Sequence, residues 1–182
     1  NATNASLAVQ GDFTNSGTFT HSGSAELTFN GSIGQRIISG GAQFNNVTID
    51  NSSVYGAILY DAVTITGTLT LTNGNINTND NILELTGAAT DLSIFSSNSF
   101  IIATSAIGAL RRHIGTNTDT YSFPVGLGAT ASDYYRMDLE NNNLGGMTYL
   151  DVFMVRNDET GSNHSQYGNT SEDGTPLIYY CN

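Results

Sequence analysis

Lysine and tryptophan are absent from this chain of 182 residues, cysteine occurs once, proline twice, and charged residues make up only 12%. One cysteine, Cys181, can neither close an internal disulfide nor join a cysteine metal cluster, so it is a free thiol or a link to another chain. No apolar run approaches the roughly 18 to 20 residues needed to span a bilayer, so membrane insertion is not expected. The chain opens without an initiator methionine or a basic-then-apolar leader and therefore reads as processed. Positive charge is equally scarce: Arg36, Arg111, Arg112, Arg136 and Arg156 stand against 16 Asp and Glu, a net charge of -11. That balance repels phosphate backbones and anionic lipid, which removes nucleic acid and membrane surfaces from the expected partners.

Small polar residues fill the chain instead: 23 Thr, 21 Asn, 20 Gly and 18 Ser, close to half of it. These types favour strands and turns over helices, and a hydrophobic content of 38% is enough for a core. Apolar alternations such as Leu7–Val9, Leu27–Phe29, Val47–Ile49, Val63–Leu71 and Ile82–Leu85 are separated by Gly and Asn turns. No helical period of 3.6 survives three turns in the first hundred residues. The segments "GDFTNSGTFT" and "GTLTLTNGNINT", and the pair "LTFNGS" and "VTIDNS", are loosely self-similar. Such repetition predicts a β-solenoid over residues 1–105, each coil burying its inward side chains on the next. A sandwich of hairpins is the competing arrangement.

The run from Gly11 to Ser53, followed by "VTITGTLTLTNGNINTNDNILELTG", resembles the repetitive β-helical regions of large secreted surface proteins and adhesins of the Bacteroidetes. The later "LRRHIGTNTDTYSFPVGLGATASDYYRMDLEN" is similar to the module that commonly follows such a region, with its "Y-x-FPVG" turn and downstream "YR" strand. The resemblance covers residues 9 to about 155. It implies an extracellular, cell-surface role that is structural or adhesive, with no enzymatic residues to carry over. The chain departs from that pattern by lacking a C-terminal sorting domain and by stopping at "PLIYYCN".

Residues 106–182 hold both prolines and longer strands, and read as a small antiparallel β-sandwich. In "TYLDVFMV" the apolar set Leu150, Val152 and Met154 should face the core. Pro124 cannot donate a ladder hydrogen bond, so its strand should be an edge or end there. A sandwich of this size that is short of a strand invites strand addition from a neighbouring copy. The N-terminal "NATNASLAVQ", with Ala5, Leu7 and Val9 on one face, is either such a donor strand, with Leu177 and Tyr179 on the acceptor side, or the first rung of the solenoid. An uncapped solenoid end also stacks on another copy, so a homo-oligomer or filament is expected.

Signals for catalysis are weak, and an enzyme is not expected. Asp12, Glu26, Asp50, Asp61, Asp80, Glu84 and Asp91 stand singly, without the carboxylate pair that glycoside hydrolysis needs. His21, His113 and His164 have no metal-ligand spacing, and Arg111–Arg112 suits structural ion pairs. No cofactor is expected; turns 77–81, 157–163 and 170–175 are oxygen-rich enough to attract calcium but match no calcium motif, and solvated turns are the favoured reading. Sequons at Asn1, Asn4, Asn30, Asn46, Asn51, Asn163 and Asn169 make glycan decoration a candidate modification.

The run "VTITGTLTLT" at 63–72 places Thr64, Thr66, Thr68, Thr70 and Thr72 on one face. Water, ice, a sugar or another copy could meet that face. An ice plane needs threonines in register over many coils and this dense run occurs once, while sugar stacking needs aromatics it lacks. A solvated outer wall is the expectation. The function that follows is an exported bacterial structural or adhesive protein that self-associates into a filament or stalk. A carbohydrate- or ice-binding module of a larger adhesin is the alternative.

Overall fold

The computed structural model describes residues 2–88, 90–116, 118–142, 148–155 and 177–181, with residues 2, 3 and 177–181 described by their backbone alone. No α-helix occurs among them; the alternating segments become short strands that wind as a β-solenoid of about five turns. The first turn carries β1 (Ala2–Thr3), β2 (Leu7–Val9) and β3 (Phe13–Thr14). The second carries β4 (His21–Ser22), β5 (Glu26–Phe29) and β6 (Gln35–Ile38), and the third β7 (Gln43–Phe44), β8 (Asn46–Asp50) and β9 (Ala57–Leu59). In the fourth lie β10 (Val63–Ile65), β11 (Leu69–Asn73) and β12 (Ile76–Asn77), and in the fifth β13 (Leu83–Leu85), β14 (Leu92–Ser93) and β15 (Ile101–Ile102).

Three walls result. β2, β5, β8, β11 and β14 form the first, β3, β6, β9, β12 and β15 the second, and β7, β10 and β13 the third, all parallel. Turns of Gly and Asn keep each coil short, so like positions return after 20 to 23 residues: Leu7, Leu27, Val47, Leu69 and Leu92 stack in register. That column points inward with Phe29, Ile49 and Leu71, and meets Ile37, Leu59, Ile65 and Leu85 from the other walls. Burial of this common interior is the main stabilising force.

A polar column runs along the corner between the first and second walls. Gln35 Nε2 donates to the carbonyls of Val9 and Gly11, and its Oε1 accepts from Gly31 N–H and from Asn51 Nδ2. Asn51 Nδ2 also donates to Ile33 O, while Asn75 Oδ1 accepts from Phe100 N–H. These side chains satisfy turn backbone that would otherwise be buried without partners. Gly56 has φ +54 and lies so close to this column that a Cβ there would sit 1.9 Å from Asn75 O, a position open to glycine alone.

Past the fifth turn, β16 (Leu110–His113) and β17 (Thr120–Gly126) still run parallel to β13 and β15, so the ladders continue across residue 105. Then direction reverses. β18 (Tyr134–Glu140) pairs antiparallel with β17 on the second wall, while on the third wall β19 (Tyr149–Val155) pairs antiparallel with β16 and β20 (Leu177–Cys181) antiparallel with β19. Leu150, Val152 and Met154 are buried as expected, and Phe153 on the opposite side is buried too. Pro124 lies inside β17 rather than at its end; the β15 ladder reaches only Val125 and Gly126, which leaves β17 a free edge at the proline.

Leu69 stacks between Val47 and Leu92 at 0% exposure, whereas Leu7, at the end of the same column, is 39% exposed. Leu69→Ala is expected to cost about 2–5 kcal/mol in denaturant unfolding and Leu7→Ala less than half of that. Equal losses would contradict a column that is open at its first rung.

Candidate assembly surface at the open end of the solenoid

The first rung has a neighbour on one side only. β1, β2 and β3 pair with β4, β5 and β6, and among the described residues nothing pairs with their other edge. Val9 spends its carbonyl on Asn30 N–H, so Ala8, one residue displaced, turns its N–H and C=O toward the free edge. Leu7 is exposed, Val9, Phe13 and Phe19 are half-buried, and Ala5 is exposed.

An aromatic cluster stiffens this end. Phe13 packs edge-on against Phe19, Phe29 and Phe44 at centroid distances of 5.3, 6.1 and 5.5 Å, and Phe19 stacks on His21 at 5.9 Å. His21 is buried and its Nδ1 accepts from Asn45 N–H at 2.8 Å, which assigns the proton to Nε2. Among the described residues no hydrogen-bond partner meets that Nε2. Burial lowers the His21 pKa below its ordinary value. Beside it a groove of about 480 Å³ runs between Gly17–His21 and Gly40–Gln43.

At the other end the third wall contains a charge where its column is otherwise apolar. Phe44, Ile65, Leu85, Arg112 and Leu150 occupy successive inward positions, and Arg112 is 1% exposed. Its guanidinium pairs with Asp91 from the turn preceding β14, donates to Ser122 O at 2.7 Å, and lies over the rings of Tyr121 and Phe123. Burial pushes Asp91 up and Arg112 down, and each pulls the other partway back. On the outer side Arg111 holds Asp151 through two hydrogen bonds of 2.7 Å. Both arginines therefore form the ion pairs the sequence suggested.

The threonines of the 63–72 run face outward, as does Thr48, and three of the five, Thr64, Thr66 and Thr70, bond to a neighbouring rung through their hydroxyls. Thr48 Oγ1 donates to Glu26, Thr64 Oγ1 to Glu84 at 3.1 Å, and Thr66 Oγ1 to Phe44 O at 3.2 Å, while Thr70 and Ser93 share a hydrogen bond of 3.2 Å. The outer wall is stitched across rungs as well as solvated. A regularity hidden in the sequence also emerges: Thr28, Thr48, Thr70 and Ser93 stand in one column on the first wall.

The proposed donor and acceptor residues are not brought together. Leu7 and Val9 lie in β2, paired with Leu27 and Phe29 as the first rung. Leu177 and Tyr179 pair through their backbone with Val155 and Phe153 at the opposite end, in the strand that also contains Cys181. Of the sequons, Asn51 must be withdrawn as a glycan acceptor: it is 0% exposed and its amide nitrogen makes two internal hydrogen bonds that a glycan would break. Asn46 Nδ2 donates to Ala25 O, Asn30 is half-buried, and Asn4 is exposed with φ 57. Asn1, Asn163 and Asn169 lie outside the described residues, as do turns 157–163 and 170–175.

In turn 77–81, Asn77 Oδ1 accepts from Asn79 N–H, the amides of Asn79 and Asn81 donate to Leu59 O, and Asp80 accepts from Ser105. Those groups fasten the turn to its neighbours. Among the described residues no three of His, Cys, Asp and Glu gather as metal ligands, and no helix is long and apolar enough to cross a membrane.

The inward Arg112, the Gln35–Asn51–Asn75 column and the Phe13 cluster carry no short-range signal in the sequence: Gln35 and Asn51 lie 16 residues apart, and Arg112 follows its column neighbour Leu85 across the irregular turns between β13 and β16. The fold defines a three-walled parallel β-solenoid with antiparallel strands at one end. Comparison of the chain with models of protein families, with curated proteins and with solved structures yields no match.

Two outcomes test this geometry. Arg112→Met strands the Asp91 carboxylate in the interior and should cost about 3–5 kcal/mol, read by denaturant unfolding, with Asp91→Asn/Arg112→Met recovering part of the loss. His21 is neutral in the folded state at a pH where the unfolded state has begun to bind a proton. Stability should therefore fall as pH drops below about 6.5 and level off below the depressed folded pKa. His21→Asn, whose amide oxygen can replace Nδ1 as acceptor, should remove that component from the melting profile.

Proposed function

We propose that the chain is a building block of an extracellular filament or stalk, an exported bacterial structural or adhesive protein without enzymatic activity. One observation supports this most: the first rung offers free backbone edges together with Leu7, Val9, Phe13 and Phe19, apolar groups left partly in water. A second copy is the natural complement, because among the described residues the first wall also stops without a further strand at β14, beside Ile94, which is 65% exposed. Joining β2 of one copy to β14 of the next would continue the wall in the same parallel sense.

The other end is read as a small sandwich-like module, in which β17 and β18 face β16, β19 and β20 and extend two walls past the last parallel rung. The likeness to β-helical surface proteins of the Bacteroidetes fits this role, and accessible asparagines such as Asn4 would carry any glycan. Net charge keeps such a unit soluble and makes nucleic acid an unfavourable partner.

A second reading has its own support. The column Thr28, Thr48, Thr70 and Ser93 repeats about every 4.7–4.9 Å on a flat parallel wall, a regular hydroxyl array of the kind that could order water as an ice-binding face. Its hydroxyls are partly engaged with neighbouring rungs, which weighs toward the structural role.

Negative-stain microscopy of concentrated protein should show end-to-end filaments. Ala8→Pro, which removes the donor on the free edge, and Leu7→Lys, which places charge there, should each leave dispersed particles with a melt within about 1 kcal/mol of the parent. Dispersed particles from the unaltered chain, with and without calcium, would refute end-to-end assembly, and ice-recrystallisation inhibition would then favour the hydroxyl column.

A further inference from the structure

The third wall is interrupted between the second and third turns. β1 and β4 pair as a separate two-stranded sheet, and the ladder of that wall begins only at β7. In the later turns the residue after each inward position ties its amide to the rung before: Thr66 N–H donates to Phe44 O at 2.8 Å and Thr86 N–H to Ile65 O at 3.1 Å. Asn45 holds the corresponding place after Phe44, but its N–H donates to His21 Nδ1, also at 2.8 Å. A side chain stands where the other rungs supply a carbonyl.

Few contacts close this seam. Asn45 Nδ2 donates to Gly23 O, the His21 ring meets Phe44 edge-on at 6.4 Å, and Phe19 stacks on His21. The groove of about 480 Å³ between Gly17–His21 and Gly40–Gln43 runs along it. A Cβ added at Gly17 or Gly41 would meet nothing within 4 Å, so the flanking chain is loosely packed there. The other two walls cross the same level without a break, β5 pairing with β8 and β6 with β9. The corner formed by β1 and β4 can therefore part from β7 while the rest of the solenoid holds.

We infer that His21 is an acid-operated latch on the assembling end of the solenoid, closed while its ring is neutral and opened by protonation. A proton on Nδ1 turns the acceptor of Asn45 N–H into a second donor, so the bond becomes a repulsion. The imidazolium would also bury a charge that nothing nearby compensates. Around the ring, β1, β3, β7, residues 15–20 and Asn45 contain no titratable side chain. The Glu26 carboxylate of β5 is turned outward onto Thr48, and Asp61 is spent on Ser39 and Gly40. In acid the ring leaves the seam, β1 and β4 part from β7, and Phe19 and Phe44 are wetted. β1 is one of the three strands of the first rung, so the edge offered to a second copy loses its shape. The inference rests on the reading of that rung as the assembly surface and adds a dependence on pH.

The test is amide hydrogen exchange of the full chain in dilute solution, read residue by residue by NMR from about pH 7.5 to 5, with negative-stain microscopy of concentrated protein at both limits. The protection factor of the Asn45 amide should fall by up to about tenfold per pH unit below about 6.5, while those of Thr66 and Thr86, held by carbonyls, stay level. Filaments present at the upper pH should disperse at the lower. His21→Asn, which keeps an acceptor in the place of Nδ1, should preserve both Asn45 protection and filaments throughout. The latch is overturned if Asn45 in the parent chain follows Thr66 and Thr86, a comparison that needs no variant, or if His21→Asn loses protection as the parent does. Filaments equally abundant at both limits while Asn45 is released would overturn the link to assembly. Release of Asn45 in a chain that forms no filaments at either pH supports the latch and refutes the assembly reading alone.

Discussion

Each rung of this protein depends on the rung beside it. A strand of two to five residues buries nothing by itself; Leu27 is dry because Leu7 and Val47 lie against it, and its backbone is satisfied because β2 and β8 flank β5. Stability is therefore close to a sum over neighbours, and every interior rung is favoured over an end rung. Both the partly wetted apolar groups at the first turn and the reversed strands at the last follow from that one constraint.

The two ends resolve it differently. At the C-terminal end the chain turns back, so that β18 and β19 succeed parallel strands as antiparallel neighbours and the ladders of two walls carry on. Where that change begins, the inward column of the third wall accepts Arg112, a choice tolerated only because Asp91, Ser122 O and two aromatic rings receive the guanidinium. At the N-terminal end no such reversal occurs among the described residues. Phe13, Phe19, Phe29, Phe44 and His21 instead brace the first turns from within, which holds the open rung in shape without covering it.

Polar residues, so abundant in the composition, divide between two tasks. Inside the corner Gln35, Asn51 and Asn75 satisfy turn backbone, and outside Thr48, Thr64 and Thr70 tie one rung to the next. A low-charge wall of this kind leaves few features to specify partners.

Local pattern alone determined the strands, their inward faces and the solenoid: the alternation in Val63–Leu71 or Leu27–Phe29 is written in neighbouring residues, and Gly and Asn mark the turns between them. It also carried the choice of inward residues in β19, because a period of two leaves a single wholly apolar set. Which residues meet across coils was decided by tertiary structure. Thr28, Thr48 and Thr70 become a column, Asn51 becomes a buried amide instead of a glycan acceptor, and Arg112 becomes an interior cation, all through contacts between residues 16 to 24 positions apart or more. Turns of unequal length set that register, and no short-range pattern encodes how two such turns add up.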